Sequence, residues 1–448
     1  MAKAKSVFEC QACGYTTAKW LGKCPECGAW DNFLELNATQ QAHLKEQATQ
    51  LSKPSNAIAI TDVVEETISR FSSNDIELDL VLGGGIVPGS LILIGGSPGI
   101  GKSTLLLKIA ANVAKQGLES LYVTGEESAS QIKLRANRLD ANEKSLYLLA
   151  EIELATVLSE ARKRPYSVIV IDSIQTMFSQ EIASAPGSVS QVREITFELM
   201  RFAKEHNISI FIIGHITKEG SIAGPRVLEH MVDVVLYFEG DASKEIRMLR
   251  GFKNRFGSTN EVGIFEMSER GLLSAKTLYG KFFSTLSAQP GSALTVIMEG
   301  SRPIIVEVQA LVSQSMAHAP KRSTTGFDTN RLTMLLALLE KKLDIPLNQY
   351  DVFINITGGI RIMEPSADLA IIAAILSSFR NRILSKETIF LGEVSLTGDI
   401  REVLSTDVRL KEASLHHFTK AILPKKPLEK SPIKCFEVKE VIQIVDWM

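Results

Sequence analysis

Gly96-Ser97-Pro98-Gly99-Ile100-Gly101-Lys102-Ser103-Thr104 decides the fold of this chain. The stretch fits GxxxxGK[ST], follows the apolar run Leu91 to Ile94 and precedes a helical run, Thr104 to Lys115. In that setting backbone N–H groups at a helix start surround phosphates, Lys102 neutralises them, and the Ser103 hydroxyl can ligate magnesium. Gly96, Gly99, Gly101, Lys102, Ser103 and Thr104 are therefore the expected phosphate-binding residues of a nucleotide-binding protein.

The neighbouring sequence alternates short β-rich runs with helical segments from about Ile60 to Ala275. SLILIGG, SLYVTGEE, SVIVIDS, ISIFIIGH and VVLYFEG read as mostly buried strands, which indicates an α/β domain with a largely parallel sheet covered by helices. Ser128-Ala-Ser-Gln131 has capping-box spacing before one of those helices. Ser167 to Asp172 is an apolar strand ending in a carboxylate, so Asp172 is the candidate for the Mg2+ shell opposite Ser103. Glu126 and Glu127 end another strand; Glu126 is favoured as the base that activates water, and Glu127 fits an exposed charge at a helix start. Ile213-Gly-His215 enters a segment in which His215 or Thr217 can sense the terminal phosphate and move a loop carrying Lys218. Arg247, Arg250, Lys253, Asn254 and Arg255 form a basic cluster able to face a neighbouring subunit's triphosphate or a nucleic-acid backbone.

Cys10-x2-Cys13 and Cys24-x2-Cys27 have the spacing with which four thiolates converge on one tetrahedral zinc, and with no position left for water the site reads as structural. Four free thiols or two disulfides are the alternative. Gly14 and Gly28 follow the second cysteine of each pair, and packing is the default role of Trp20 and Trp30. The chain has 448 residues, 45% hydrophobic and 22% charged, a globular composition long enough for about three domains. Its 49 Lys+Arg against 51 Asp+Glu exclude a protein that coats nucleic acid by bulk charge. No run has the length of a membrane span and the start lacks a secretory apolar stretch, so a soluble cytoplasmic protein is expected. Residues 1–36 read as the zinc module, 37–57 as a polar linker, 58–275 as the nucleotide-binding domain, and 276–448 as a further α/β domain with helices at Thr329 to Leu343, Pro365 to Ser378 and Thr406 to Leu415.

Together the four-cysteine module, GGSPGIGKST, VIVIDSIQ, HITKEGSIAGPRVLEHMVD and above all Lys253-Asn-Arg-Phe-Gly257 resemble the RadA (Sms) family of bacterial DNA-repair ATPases over nearly the whole chain. The resemblance implies a RecA-like P-loop ATPase core, with ATP, Mg2+ and Zn2+ as ligands. It implies binding of single-stranded and branched DNA, branch migration with the RecA recombinase in homologous recombination, and a hexameric ring with ATP between subunits. Lys253 and Arg255 would then complete a neighbour's site in trans.

By the same comparison residues 276–448 are similar to the proteolytic domain of Lon protease, with Ser366 of Pro365-Ser366-Ala367 at the nucleophile position. The position of the general-base lysine falls on or near Asp407, with Lys411 about one helical turn farther. A serine without its base is a weak nucleophile, so Ser366 reads more simply as a helix cap after Pro365 and the domain as a non-proteolytic, DNA-binding scaffold. Arg302, Lys321, Arg322, Arg331, Arg380, Arg382, Lys386 and Arg409 are its candidate phosphate contacts. An ATP-dependent protease and an ATP-controlled binding switch are the rival readings.

Overall fold

The computed structural model describes residues 7–10, 15–25, 28, 30–36, 59–62, 69–182, 184–214, 227–240, 246–269, 271–274, 289–316, 319–427 and 430–447. The chain divides into two compact units, residues 1–274 and 275–448. Within the first, strands β1 (Val7–Cys10), β2 (Thr16–Thr17) and β3 (Phe33–Leu36) form a small antiparallel sheet in the order β2-β1-β3.

The large sheet of this unit is built around the phosphate loop. Helix α1 (Ile76–Leu82) precedes β4 (Leu91–Gly96), which leads into α2 (Lys102–Lys115). There follow β5 (Glu119–Thr124), α3 (Ala129–Arg138), β6 (Leu146–Ala150), α4 (Leu154–Ala161), β7 (Tyr166–Asp172), α5 (Val189–His206) and β8 (Ser209–Ile213). A short helix α6 (Val227–Met231) leads to β9 (Val234–Glu239), and β10 (Ile246–Asn254), β11 (Val262–Ser268) and β12 (Gly271–Ser274) complete the sheet.

The strand order is β12-β11-β10-β9-β4-β8-β7-β5-β6. From β9 to β6 all neighbours are parallel; β10, β11 and β12 are added antiparallel. The central strands are apolar throughout because both faces are covered. Ile92 and Ile94 pack with α2 on one side, while Leu91 and Leu93 pack with α4 and α5 on the other. All five expected strands are present.

Two features depart from the sequence expectation. Edge strand β6 has side chains that are only half-buried or exposed, so it lacks the apolar signature of its neighbours. The basic cluster from Arg247 lies largely within β10, and Arg247 itself is buried, so it cannot present charge outward as expected. Ser128 does cap α3: Gln131 N–H donates to its hydroxyl and its own N–H donates to Gln131 Oε1 at 2.9 Å.

The second unit contains β13 (Ser292–Glu299), β14 (Arg302–Gln314), β15 (Arg322–Thr325), α7 (Thr329–Leu343), β16 (Tyr350–Ile356), α8 (Asp368–Arg380), β17 (Thr388–Phe390), β18 (Glu393–Val394), β19 (Ile400–Arg401), α9 (Thr406–Leu415), β20 (Lys420–Leu423) and β21 (Lys434–Glu437). Seven strands make a mixed sheet in the order β15-β16-β14-β13-β17-β20-β21. Helix α8 is buried on every side from Asp368 to Ser377, as its uninterrupted Leu-Ala-Ile-Ile-Ala-Ala-Ile-Leu run requires. Among the described residues no helix is long and apolar enough to cross a membrane.

Candidate nucleotide-binding site

Strand β4 ends where the phosphate loop begins. Gly96 has φ 154°, and a Cβ there would stand 2.7 Å from the Phe238 carbonyl oxygen. Gly101, φ 114°, caps α2 without a side chain that would compete for the first-turn N–H groups. Lys102 is only 4% exposed, and its Nζ donates to the carbonyls of Gly96 at 2.7 Å and Ser97 at 3.0 Å. Burial lowers its pKa, while the carboxylates of Asp172 and Glu126 pull the other way and favour the ammonium.

Asp172 arrives from the end of β7, beside Thr124 at the end of β5. The Ser103 hydroxyl and the Tyr122 phenol both donate to its carboxylate, Tyr122 at 2.5 Å to Oδ2. Burial raises the Asp172 pKa and these two donors act against it. Glu126 accepts from Ser173 Oγ at 2.6 Å, whereas Glu127 is committed to an ion pair with Arg135 of α3 and to a turn in which its N–H donates to Thr124 Oγ1 at 3.1 Å. Lys102, Ser103, Asp172 and Glu126 thus converge at the carboxyl ends of β4, β5 and β7, where a parallel sheet presents ligands. The donor set fits Mg2+: a hydroxyl and carboxylates, oxygen ligands for a hard cation. His215, Thr217 and Lys218 lie outside the described residues.

Lys253 and Arg255 are placed elsewhere. Lys253, beyond a register shift in β10, donates from Nζ to the carbonyls of Glu229 at 2.8 Å, His230 at 3.0 Å and Val232 at 2.7 Å, around the end of α6. Burial lowers its pKa, as does Arg255, while Asp233 opposes them. Arg255 Nη1 reaches Oδ1 of buried Asp233 at 3.3 Å, and Asp233 Oδ2 accepts the Leu91 N–H at 3.1 Å. That is the opposite end of β4 from Gly96, a strand length of roughly 16 Å away. Asn254 fastens the motif to α1 by donating to the Val81 carbonyl at 3.3 Å, and a Cβ on Gly257 would lie 3.1 Å from the Gly83 Cα.

In the cysteine module Cys10 and Cys24 are buried in one small cluster with Phe33. The Cys10 N–H donates to the Tyr15 carbonyl and the Gly28 N–H to the Cys24 carbonyl, both at 2.9 Å, with Gly28 at φ 74°. Two buried sulfurs in a sheet of this size fit a metal centre, since little other core is available to it. Cys13 and Cys27 lie outside the described residues. Contrary to the packing expectation, Trp20 and Trp30 are exposed, at 52% and 68%. Cys24→Ser is expected to lose the bound zinc, about one ion per chain, as read by metal analysis of freshly purified, reduced protein.

The second unit corrects the reading of its serine and of several cations. Ser366 lies in a 3-10 turn, Pro365–Ala367, and makes no capping bond to α8. Its hydroxyl instead donates to Glu364 Oε1 at 2.6 Å and accepts from Arg409 Nη1 at 3.1 Å. Arg409, 1% exposed, also donates to both oxygens of Glu364 and to the carbonyls of Val296 and Leu404. It is an interior strut and no phosphate ligand. A guanidinium cannot take a proton from serine. Lys411, two residues along α9 and therefore on the far side of the helix, is exposed while Ser366 is buried. Arg331 is paired with buried Asp368, and Arg322 donates to the carbonyls of Tyr350 and Leu347.

Sequence reasoning missed Tyr122, Ser173 and Arg135. The available signal was a tyrosine inside the otherwise apolar run Leu121-Tyr-Val123, since a buried phenol needs a partner.

A parallel sheet with a phosphate loop, an opposed carboxylate and a short antiparallel extension defines a RecA-like P-loop ATPase. Residues 59–221 match the AAA domain family, residues 8–35 the rubredoxin metal binding domain, and residues 327–427 the subunit ChlI of Mg-chelatase. Over all 448 residues of both chains the protein is 64% identical to the DNA repair protein RadA of Campylobacter jejuni and 60% to that of Helicobacter pylori strain J99. It is 48% identical to the Bacillus subtilis RadA over 95% of this chain and 93% of that one. The chain belongs to the RadA family of DNA repair proteins. It is an ATP-hydrolysing enzyme with a zinc-binding module.

Proposed function

We propose that the protein is a DNA-dependent ATPase that binds single-stranded DNA and drives branch migration of recombination intermediates together with RecA. The convergence of Lys102, Ser103, Asp172 and Glu126 at the carboxyl edge of the sheet supports the ATPase part of this reading, and the full-length likeness to RadA DNA repair proteins supports the DNA part. The loop N–H groups and Lys102 bind the ATP phosphates, and Glu126 orients the attacking water. Ser103 and Asp172 would hold the Mg2+ shell, which would supply charge neutralisation to the phosphates. Lys253 and Arg255, a strand length from their own phosphate loop, act on a neighbour's triphosphate in a hexameric ring, stabilising charge as the bond to the γ phosphate breaks. That role requires Lys253 to exchange the carbonyls of Glu229, His230 and Val232 for phosphate oxygens, which ties the end of α6 to the nucleotide.

In this reading residues 1–36 are the zinc module, 37–57 a linker, 58–275 the motor and 276–448 a Lon-like scaffold without proteolytic activity that offers DNA a basic surface. The bonds that tie the Ser366 hydroxyl to Glu364 and Arg409, with no lysine bonded to it among the described residues, support the lack of proteolytic activity.

The test is extension of recombination intermediates by the purified protein with RecA. The native chain extends them. Lys253→Ala binds ATP but loses movement, with DNA-stimulated hydrolysis reduced roughly 10²-fold, the scale of one lost charge-stabilising donor. A native protein that neither binds single strands nor moves a branch overturns the proposal.

A further inference from the structure

We propose that Tyr122 is a positioning residue of the nucleotide site: its phenol fixes the plane of the Asp172 carboxylate and so sets how strongly Mg2+–nucleotide is held. The inference rests on the reading of Asp172 as part of the Mg2+ shell. Tyr122 sits in the middle of β5, completely buried, and its Oη donates to Asp172 Oδ2 at 2.5 Å. The neighbouring pairing of β5 with β7 places Tyr122 across from Val170, two residues before Asp172, so the phenol reaches the carboxylate along one face of the sheet.

A carboxylate at the end of a strand has a broad, two-fold torsion about its last bond, and nothing in the backbone fixes its plane. Among the described residues Tyr122 and Ser103 donate to the Asp172 carboxylate. Ser103 is the hydroxyl that coordinates magnesium in a P-loop, through a lone pair that leaves its O–H for Asp172. Tyr122 is the donor of the two that is not itself a proposed metal ligand, so its removal tests the orientation of the carboxylate with both ligands still in place. Its ring is in turn packed in the buried core with Leu107, Ile132 and Ala136, and Leu146 packs against the same cluster. An outer partner that orients a metal-binding carboxylate typically changes metal affinity 10–100-fold when removed.

The experiment titrates the full chain with a fluorescent N-methylanthraniloyl derivative of a non-hydrolysable ATP analogue, with Mg2+ and with EDTA, and follows ATP hydrolysis against free Mg2+ in parallel. Tyr122→Phe is expected to leave the affinity in EDTA unchanged and to lose about 10-fold of the Mg2+-dependent gain. Its half-saturating Mg2+ rises by the same factor, and most of kcat returns at saturating Mg2+. Ser120→Ala is the matched control. Ser120 is buried on the same strand and the same face, and its hydroxyl donates at 2.8 Å to the Ala110 carbonyl of α2. It should lose a buried hydrogen bond without moving the Mg2+ dependence. Equal shifts in the two variants mean a general loosening of β5 and overturn the inference. Asp172→Asn separates the two layers. If it keeps the Mg2+ gain, the reading of Asp172 fails and the inference with it; if it loses the gain while Tyr122→Phe keeps it, the inference alone is overturned.

Discussion

Arg409→Ala is expected to unfold the second unit at a markedly lower temperature than the native chain while the first unit melts unchanged. The guanidinium is interior and serves Glu364, Ser366 and the carbonyls of Val296 and Leu404 at once. Burial pushes the Glu364 pKa up, yet the hydrogen bonds from Arg409 and Ser366 outweigh it and leave the carboxyl below its ordinary value. Glu364 is therefore ionised at neutral pH, and removing Arg409 strands a carboxylate in a largely desolvated position. Breaking such a pair costs about 3–5 kcal/mol, and the 28% exposure of the Glu364 side chain argues for the lower end. For a unit of this size that is a fall of roughly 6–12 °C in its Tm, measured by calorimetry on the full chain, where two transitions can be separated. The double variant Arg409→Met with Glu364→Met should recover much of the loss, because no charge is then left without a partner. A single variant with an unchanged melting profile would show that the strut carries no stability.

Lys102→Ala has the largest expected effect on activity: ATP hydrolysis falls by about 10²-fold or more, the scale on which one electrostatic stabiliser acts in a water-poor site. Stability should hardly follow. The native ammonium is buried at a cost, opposed by two carbonyl bonds and the nearby charges of Asp172 and Glu126. Alanine removes the cost along with the bonds, so the Tm of the protein without nucleotide should move by only a few degrees, the scale of about 1 kcal/mol. Steady-state hydrolysis and a thermal melt on the same preparation check both halves. Hydrolysis at the native rate would overturn the site.

How much of this was legible in the sequence follows from how local each feature is. The phosphate loop, the Asp172 strand and the Ser128 cap are set within a few residues of chain, and the structure places them as their spacing predicts. Tyr122 acquires its partner only through the side-by-side pairing of β5 with β7, fifty residues apart, and no periodicity within either strand reveals it. Arg409 shows the converse failure. Eight cations in one domain look like one surface, yet whether an arginine faces water or a buried glutamate depends on which side of α9 it occupies. The reading of Ser366 as a cap failed for a related reason: its acceptor Glu364 is two residues away, but that carboxylate is held by Arg409, 43 residues beyond the serine, and no local spacing shows that partner. The antiparallel β10 escaped because Arg247 and Gly251 occupy its buried face while Ile246 and Met248 lie on the half-buried one, so the run shows no apolar alternation.

The inward arginines have a consequence for ionic strength. Arg409 is buried, Arg331 is paired with Asp368 and Arg322 is bonded to backbone carbonyls, so the other five of the eight cations proposed as phosphate contacts in the second unit are Arg302, Lys321, Arg380, Arg382 and Lys386. Each phosphate contact on a single strand steepens the fall of log K with log salt by about 0.7. Five contacts of that kind would add about 3.5 to the slope per protomer. A salt dependence steeper than that, measured for the whole chain, calls for further cations beyond these five.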